Sequence, residues 1–234
     1  MALPNLNQQT FELNIPSSDE KIKYRPFLVK EEKLLLQAQE SGKDTDMIGS
    51  LKQIIRNCTF EKVDVDNLPS FDMEYIFLNI RAKSVGEIAK LSVLSPDDKK
   101  TYVPVEVDLT KVNVEVDVGH TNKIELTKDA GMVMTYPTLD AFSGANMTNP
   151  TADDLITIMA DCILQIYDGD NVYDKVDSTL DERKDFLENL TQEQFLKLQD
   201  FFNTMPRLKH EVSFTNPKTK KKQKIVLEGL RSFF

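Results

Sequence analysis

The chain has little of what metal, redox and nucleotide chemistry need. It holds two cysteines and two histidines among 234 residues. His120 and His210 have no ligand at useful spacing, and no CxxC or HExxH pattern occurs. The eight glycines are scattered, with no GxGxxG, no GxxxxGKS/T and no GxSxG elbow. No run of 18 apolar residues exists, which excludes a transmembrane helix. Met1-Ala-Leu-Pro-Asn-Leu-Asn lacks the basic and apolar stretches of a signal peptide, so the chain is expected to fold and stay in a cytoplasm. Cys58 and Cys162 are isolated among apolar neighbours on predicted helices, and they read as buried, inert thiols rather than a disulfide. The Asn-x-Thr sequons at Asn57, Asn146 and Asn189 carry no weight without a secretion route. Asp168-Gly-Asp-Asn-Val-Tyr-Asp174 resembles a calcium loop but has Tyr173 where glycine is needed and Thr179 where glutamate is needed, so a solvated loop is expected. No metal, no cofactor and no enzyme activity are expected.

What is present is ordinary globular material: 40% apolar and 29% charged residues, enough for one large domain or two small ones. A net charge of −9 argues against non-specific nucleic-acid or membrane binding as the main function. The charge is uneven. Asp153 to Asp200 is strongly acidic, and Lys218 to Lys224 is strongly basic.

Hydropathy periods predict an α+β fold: a helical core with an N-terminal β-hairpin, a small antiparallel sheet in the middle and a C-terminal β-hairpin. Changes of pattern divide the chain at 1–87, 88–142 and 143–234. Phe11, Leu13 and Ile15 alternate, Pro16 to Asp19 turn, and Ile22 and Tyr24 return. A helix is predicted from Lys30 to Gln39, stopped by Ser41-Gly42. Met47, Ile48, Leu51, Ile54, Ile55 and Cys58 form one helical stripe behind Asp44 and Asp46. Ser70 is expected to cap a helix over Phe71 to Val85 that is apolar on several sides and therefore central.

The period becomes two over 88–136. Val103, Val105, Val107 and Leu109 alternate, then Val112, Val114, Val116 and Val118 in the opposite phase, which puts a turn or bulge at Thr110-Lys111. Pro104 points to an edge strand. Ile124 to Leu126 and Met132 to Tyr136 complete one expected sheet. Residues 143–151 read as a loop. Thr151 opens a predicted helix with Leu155, Ile158, Met159, Cys162, Ile163 and Ile166 on one face, and Thr191 with Gln194 has capping-box spacing for another that Pro206 stops. Val212 and Phe214, the turn Asn216-Pro-Lys-Thr219, and Ile225 and Leu227 make the last hairpin.

Two groups are candidate protein-binding residues. Lys218, Lys220, Lys221, Lys222 and Lys224 could grip an acidic partner or a phosphate backbone; a solvated hairpin tip is the plainer reading. The run lacks the arginines and interleaved aromatics of nucleic-acid surfaces, which puts a protein partner ahead of nucleic acid. Leu230, Phe233 and Phe234 must be buried, against their own domain first or else against a partner.

Three segments carry a resemblance: Lys21-Ile-Lys-Tyr-Arg-Pro-Phe-Leu-Val-Lys-Glu-Glu-Lys-Leu-Leu-Leu36, Phe71-Asp-Met-Glu-Tyr-Ile-Phe-Leu-Asn-Ile-Arg-Ala-Lys-Ser-Val-Gly86 and Leu227-Glu-Gly-Leu-Arg-Ser-Phe-Phe234. In this order they resemble the baseplate hub proteins of T4-like contractile-tailed bacteriophages. The resemblance extends over nearly the whole chain and rests on packing motifs. It implies a non-enzymatic tail protein needed for baseplate hub assembly, with other tail or hub proteins as partners. Such a protein works in the host cytoplasm, by binding or chaperoning a hub or tape-measure protein. The first alternative is a structural hub subunit kept in the virion. The second, from the residues alone, is an adaptor or nucleic-acid module using the lysine hairpin. The resemblance also implies a zinc-knuckle-like CPxCG in the tail turn, but the matching Asn216-Pro-Lys-Thr-Lys220 has no cysteine, so a zinc site does not carry over.

Overall fold

A computed structural model describes residues 8–142 and 150–233. Contacts divide the chain into two compact units: Met1–Glu115 with Arg207–Phe234, and Val116–Pro206. The first unit is therefore discontinuous in sequence.

The first unit opens with the expected hairpin, β1 (Phe11–Asn14) paired antiparallel with β2 (Lys21–Tyr24). Helix α1 (Val29–Ser41) ends on Gly42, whose φ of 66° is the left-handed cap that a side chain would resist. Helix α2 (Asp44–Cys58) buries Leu51, Ile54, Ile55 and Cys58. Helix α3 (Ser70–Val85) buries Phe71, Met73, Ile76, Phe77, Leu78 and Ile80, more than one face, as its all-round apolar pattern requires. Its N-cap position is Pro69, not Ser70. Ser70 is already helical, and proline's fixed φ suits the entry to a helix.

Strands β3 (Ile88–Leu94) and β4 (Tyr102–Asp108) form a two-stranded sheet, so Pro104 does lie on an edge. The phase flip falls in a 3-10 turn over Leu109–Lys111, where the Asp108 carboxylate accepts the Thr110 N–H. Strand β5 (Asn113–Glu115) stops early: Val116 and Val118 are exposed rather than alternating, because β5 pairs only with Arg207 to Lys209.

The second unit begins with β6 (Lys123–Glu125) and β7 (Ala130–Met134), then α4 (Ala152–Asp161). The loop expected over 143–151 lies outside the described residues except for its last positions. Helix α4 has the Thr151–Asp154 capping box but ends sooner than its apolar stripe suggested. Ile163 and Ile166 belong to β8 (Ile163–Asp168), paired with β7 and with β9 (Asn171–Asp174). Branched side chains pack well on a pleated surface, and the sheet contacts win over the helical period. The would-be calcium loop is the β8–β9 hairpin turn, with Gly169 at φ 58°. Helices α5 (Leu180–Glu188) and α6 (Gln192–Thr204) follow, each opened by a threonine capping box.

The chain then returns to the first unit as β10 (Arg207–Thr215) and β11 (Lys222–Glu228). The middle strands thus form no single sheet. They divide among β3-β4, β11-β10-β5 and β6-β7-β8-β9. The first unit's core joins Leu78 of α3, Val93, Val105 and Val107 of β3-β4, Leu208 and Val212 of β10, and Phe233. The second unit's core joins Met132 and Met134 to Ala160, Leu187, Leu198 and Phe201. No helix among the described residues is long and apolar enough to cross a membrane.

Candidate functional site: a lysine-rich tip built from two turns

The lysine run sits at the end of the β10–β11 ribbon. Thr215 faces Lys222 in register, and the Asn216 N–H closes the turn on the Lys221 carbonyl at 3.0 Å. Lys218, Lys220, Lys221 and Lys222 are exposed. Lys224, also exposed, is already paired with Glu211 across the ribbon at 2.8 Å.

The turn is fixed by Asn216, which is fully buried. Its side-chain oxygen accepts the Lys218 N–H at 2.8 Å and the Thr219 N–H at 3.3 Å. Its amide nitrogen donates to Ser95 Oγ at 3.1 Å and Asp97 Oδ1 at 2.9 Å, and the Thr219 hydroxyl donates to the other Asp97 oxygen. These bonds join the tail turn to the β3–β4 turn, Ser95-Pro-Asp-Asp-Lys99-Lys-Thr101. Hydrogen bonds from Thr219, Ser95 and Asn216 push the Asp97 carboxyl down to about 2. Asp98 is held well below the usual carboxylate range, first by the Thr101 hydroxyl and then by the Thr101 and Lys100 N–H groups. Lys99 and Lys100 are exposed on this second turn, so the tip carries two lysines that the run in the tail does not contain.

Sequence reasoning missed them, although a signal existed. Three hairpin turns share one grammar: a residue followed by proline accepts, at its carbonyl, the N–H four residues on. That fourth residue is left-handed, at Asp19 (φ 56°), Lys99 (φ 51°) and Lys220 (φ 61°). The repeated x-Pro-x-x-x pattern marks Lys99-Lys100 as a turn like the tail's.

Removing the Asn216 side chain strands the Lys218 and Thr219 N–H groups and unties the two turns. Asn216→Ala is expected to cost about 1–3 kcal/mol, because Asn216 and the Ser95 hydroxyl it meets are both buried. Hydrogen exchange should localise the loosening to the two turns; protection there equal to wild type would refute the anchor.

The family model described as "T4 bacteriophage base plate protein" matches residues 7–234. The chain belongs to that family. No curated protein and no solved structure matches the chain.

The remaining candidates of this base plate protein sit apart from the tip. Phe233 is fully buried in the first unit's own core, and Leu230 packs against it, in a 3-10 turn over Leu230–Phe233. Phe234 lies outside the described residues. Beside that turn Glu74 accepts the Leu230 N–H. Burial pushes the Glu74 carboxyl up to about 7, and Glu228 adds to the push. A folded pKa above the unfolded one means that the folded state holds the proton more firmly. The contribution is full below the ordinary carboxylate pKa and is lost as pH rises through about 7. Glu74→Gln keeps an acceptor without the charge. The difference in Tm between this variant and wild type is expected to widen from pH 5 to pH 8, and a constant difference would contradict it.

His120 contacts Thr204 Oγ1 at 2.9 Å through Nδ1 and the Tyr136 hydroxyl at 3.0 Å through Nε2. Burial holds its pKa below the ordinary value, against the nearby Asp117 and Asp200 charges. Burial also pushes the Cys58 thiol up to about 11 and Cys162 up to about 12, which keeps both unreactive. Among the described residues, no group of three or more His, Cys, Asp and Glu is placed to hold a metal ion.

Proposed function

We propose that the protein acts in assembling the baseplate hub of a contractile-tailed phage, by binding another hub or tape-measure protein and not by catalysis. The observation that carries this reading is the base plate family match over residues 7–234. The exposed lysines of the tip, fixed on a turn that is itself pinned, support a binding role. The place of action is the host cytoplasm during assembly, with other tail proteins as partners.

The test is co-expression of the tagged chain with the neighbouring tail proteins, followed by mass spectrometry of mature particles. Capture of a hub or tape-measure protein, with the chain absent from particles, is the expected result. Presence in particles at fixed stoichiometry would make it a structural hub subunit instead. Salt titration against a DNA oligonucleotide checks the adaptor alternative, because phosphate binding weakens steeply with salt.

A further inference from the structure

Most lysines of the first unit's β-strands are answered by carboxylates: Lys21 and Lys23 by Glu12, Lys90 by Glu106, and Lys224 by Glu211. The joined tip differs. None of Lys99, Lys100, Lys218, Lys220, Lys221 and Lys222 forms an ion pair among the described residues. Their backbones are fixed all the same. Asn216, Ser95, Asp97 and Thr219 lock the two turns together, so the cations are presented on a preorganised base.

Apolar surface lies at the foot of the same turn. Leu94 and Tyr102 face each other in register at the end of β3–β4, one residue outside the Ser95–Thr101 turn, and are 43% and 65% exposed. An exposed tyrosine is a common anchor of protein interfaces, and exposed cations at the same end of the sheet can steer a partner onto it. The carboxylates argue the same way. Asp97 and Asp98 are ionised and engaged by the tip's own hydroxyls, amide and N–H groups, and their charges disfavour the unbroken charge of a phosphate chain more than a protein segment whose acids are spaced to meet the lysines.

We infer that the joined β3–β4 and β10–β11 tips form one docking surface for an acidic protein segment that also carries an apolar side chain for the Leu94–Tyr102 pair. This deepens the assembly reading and rests on it: the segment belongs to the tail protein that the chain binds. The lysines supply encounter rate and orientation, and the apolar pair supplies residence.

The experiment uses the full tagged chain co-expressed with the phage tail proteins. It compares wild type, K100E/K221E/K222E and L94S/Y102S, all at exposed positions clear of the left-handed residues, with circular dichroism to confirm folding. Capture of the tail protein is expected to fall at least about tenfold in each variant, because both halves of the surface are needed. A carbodiimide, which joins lysine to carboxylate directly, is expected to link tip lysines to Asp or Glu of the captured protein. Capture that persists in both variants, or is lost in the lysine variant alone, overturns the composite surface and leaves the assembly reading standing. Tight binding of a DNA oligonucleotide by wild type, lost in the lysine variant, overturns the choice of a protein segment. No capture by wild type overturns both readings.

Discussion

Replacing Glu31 by alanine is expected to destabilise the first unit by about 3–5 kcal/mol, the cost of breaking a buried ion pair from one side. Glu31 is fully buried, and Arg25 is 6% exposed. The Arg25 guanidinium reaches both carboxylate oxygens, at 3.1 and 3.4 Å. The same carboxylate accepts the Leu28 N–H at 2.8 Å and the Asn57 amide at 3.2 Å. One side chain thus ties the end of β2, the entry of α1 and the last turn of α2. Alanine leaves the buried guanidinium with the Pro26 carbonyl and the Cys58 sulfur but no opposite charge, and takes an acceptor from the half-buried Leu28 N–H and Asn57 amide. Set against a typical domain stability of about 5–15 kcal/mol, this takes a large share.

The measurement is chemical denaturation of wild type, E31A, and the double variant R25M/E31L. The double variant removes both charges and fills the space with apolar atoms, so it is expected to recover most of the loss. A loss in E31A of under about 1 kcal/mol would show that the pair does not hold these elements together. The pH dependence has a definite sign. Burial alone would raise the Glu31 pKa, but the Arg25 and Leu28 hydrogen bonds overcome it and hold the carboxyl below its ordinary value. That stability is present above the ordinary carboxylate pKa and is lost as pH falls through the folded one.

Local signals were enough for most elements. Alternation marks β1 and β2, the Ser41-Gly42 stop marks α1, an apolar stripe marks α2, an all-round apolar run marks α3, and the Asn-Pro turn marks the last hairpin. Two kinds of feature were hidden. The first is competition between periods. Ile163 and Ile166 continue the stripe of α4 and also suit a strand, and only the neighbours β7 and β9 decide between them. Helix α5 was legible in principle, since Thr179 and Glu182 have capping-box spacing, and the same holds for the Gly169 turn before it. The second kind is long-range. Nothing local in Arg207–Thr215 says that it returns to pair with β5, and nothing near Asn216 says that its side chain will meet Ser95 and Asp97, about 120 residues earlier. The lysines of the tail were therefore visible in the sequence. Their union with Lys99 and Lys100 was not, because it depends on a buried amide.

Gly131 should tolerate no side chain, and Gly131→Ala is expected to cost the second unit about 3 kcal/mol or more. Glycine inside a strand ordinarily weakens it, so its presence in β7 needs a reason. Here the reason is crowding from two sides. Gly131 faces Tyr167 of β8 in register and Glu125 of β6 on the other side. A Cβ at this position would lie 2.6 Å from the Tyr167 ring carbon Cζ and closer still to its hydroxyl oxygen and to the Ile124 carbonyl oxygen. The ring can swing away at the expense of its contact with Lys123, whose ammonium lies 5.2 Å from the ring centroid. The carbonyl cannot, because it belongs to the backbone of the neighbouring strand. Removing the ring should therefore rescue only part of the damage, and G131A/Y167A should remain well below Y167A in denaturant midpoint. Equal stability of those two would assign the whole clash to the ring and show that β6 can shift. Hydrogen exchange adds a positional check: because β6, β7 and β8 are consecutive neighbours in one sheet, G131A should lower protection in all three strands together.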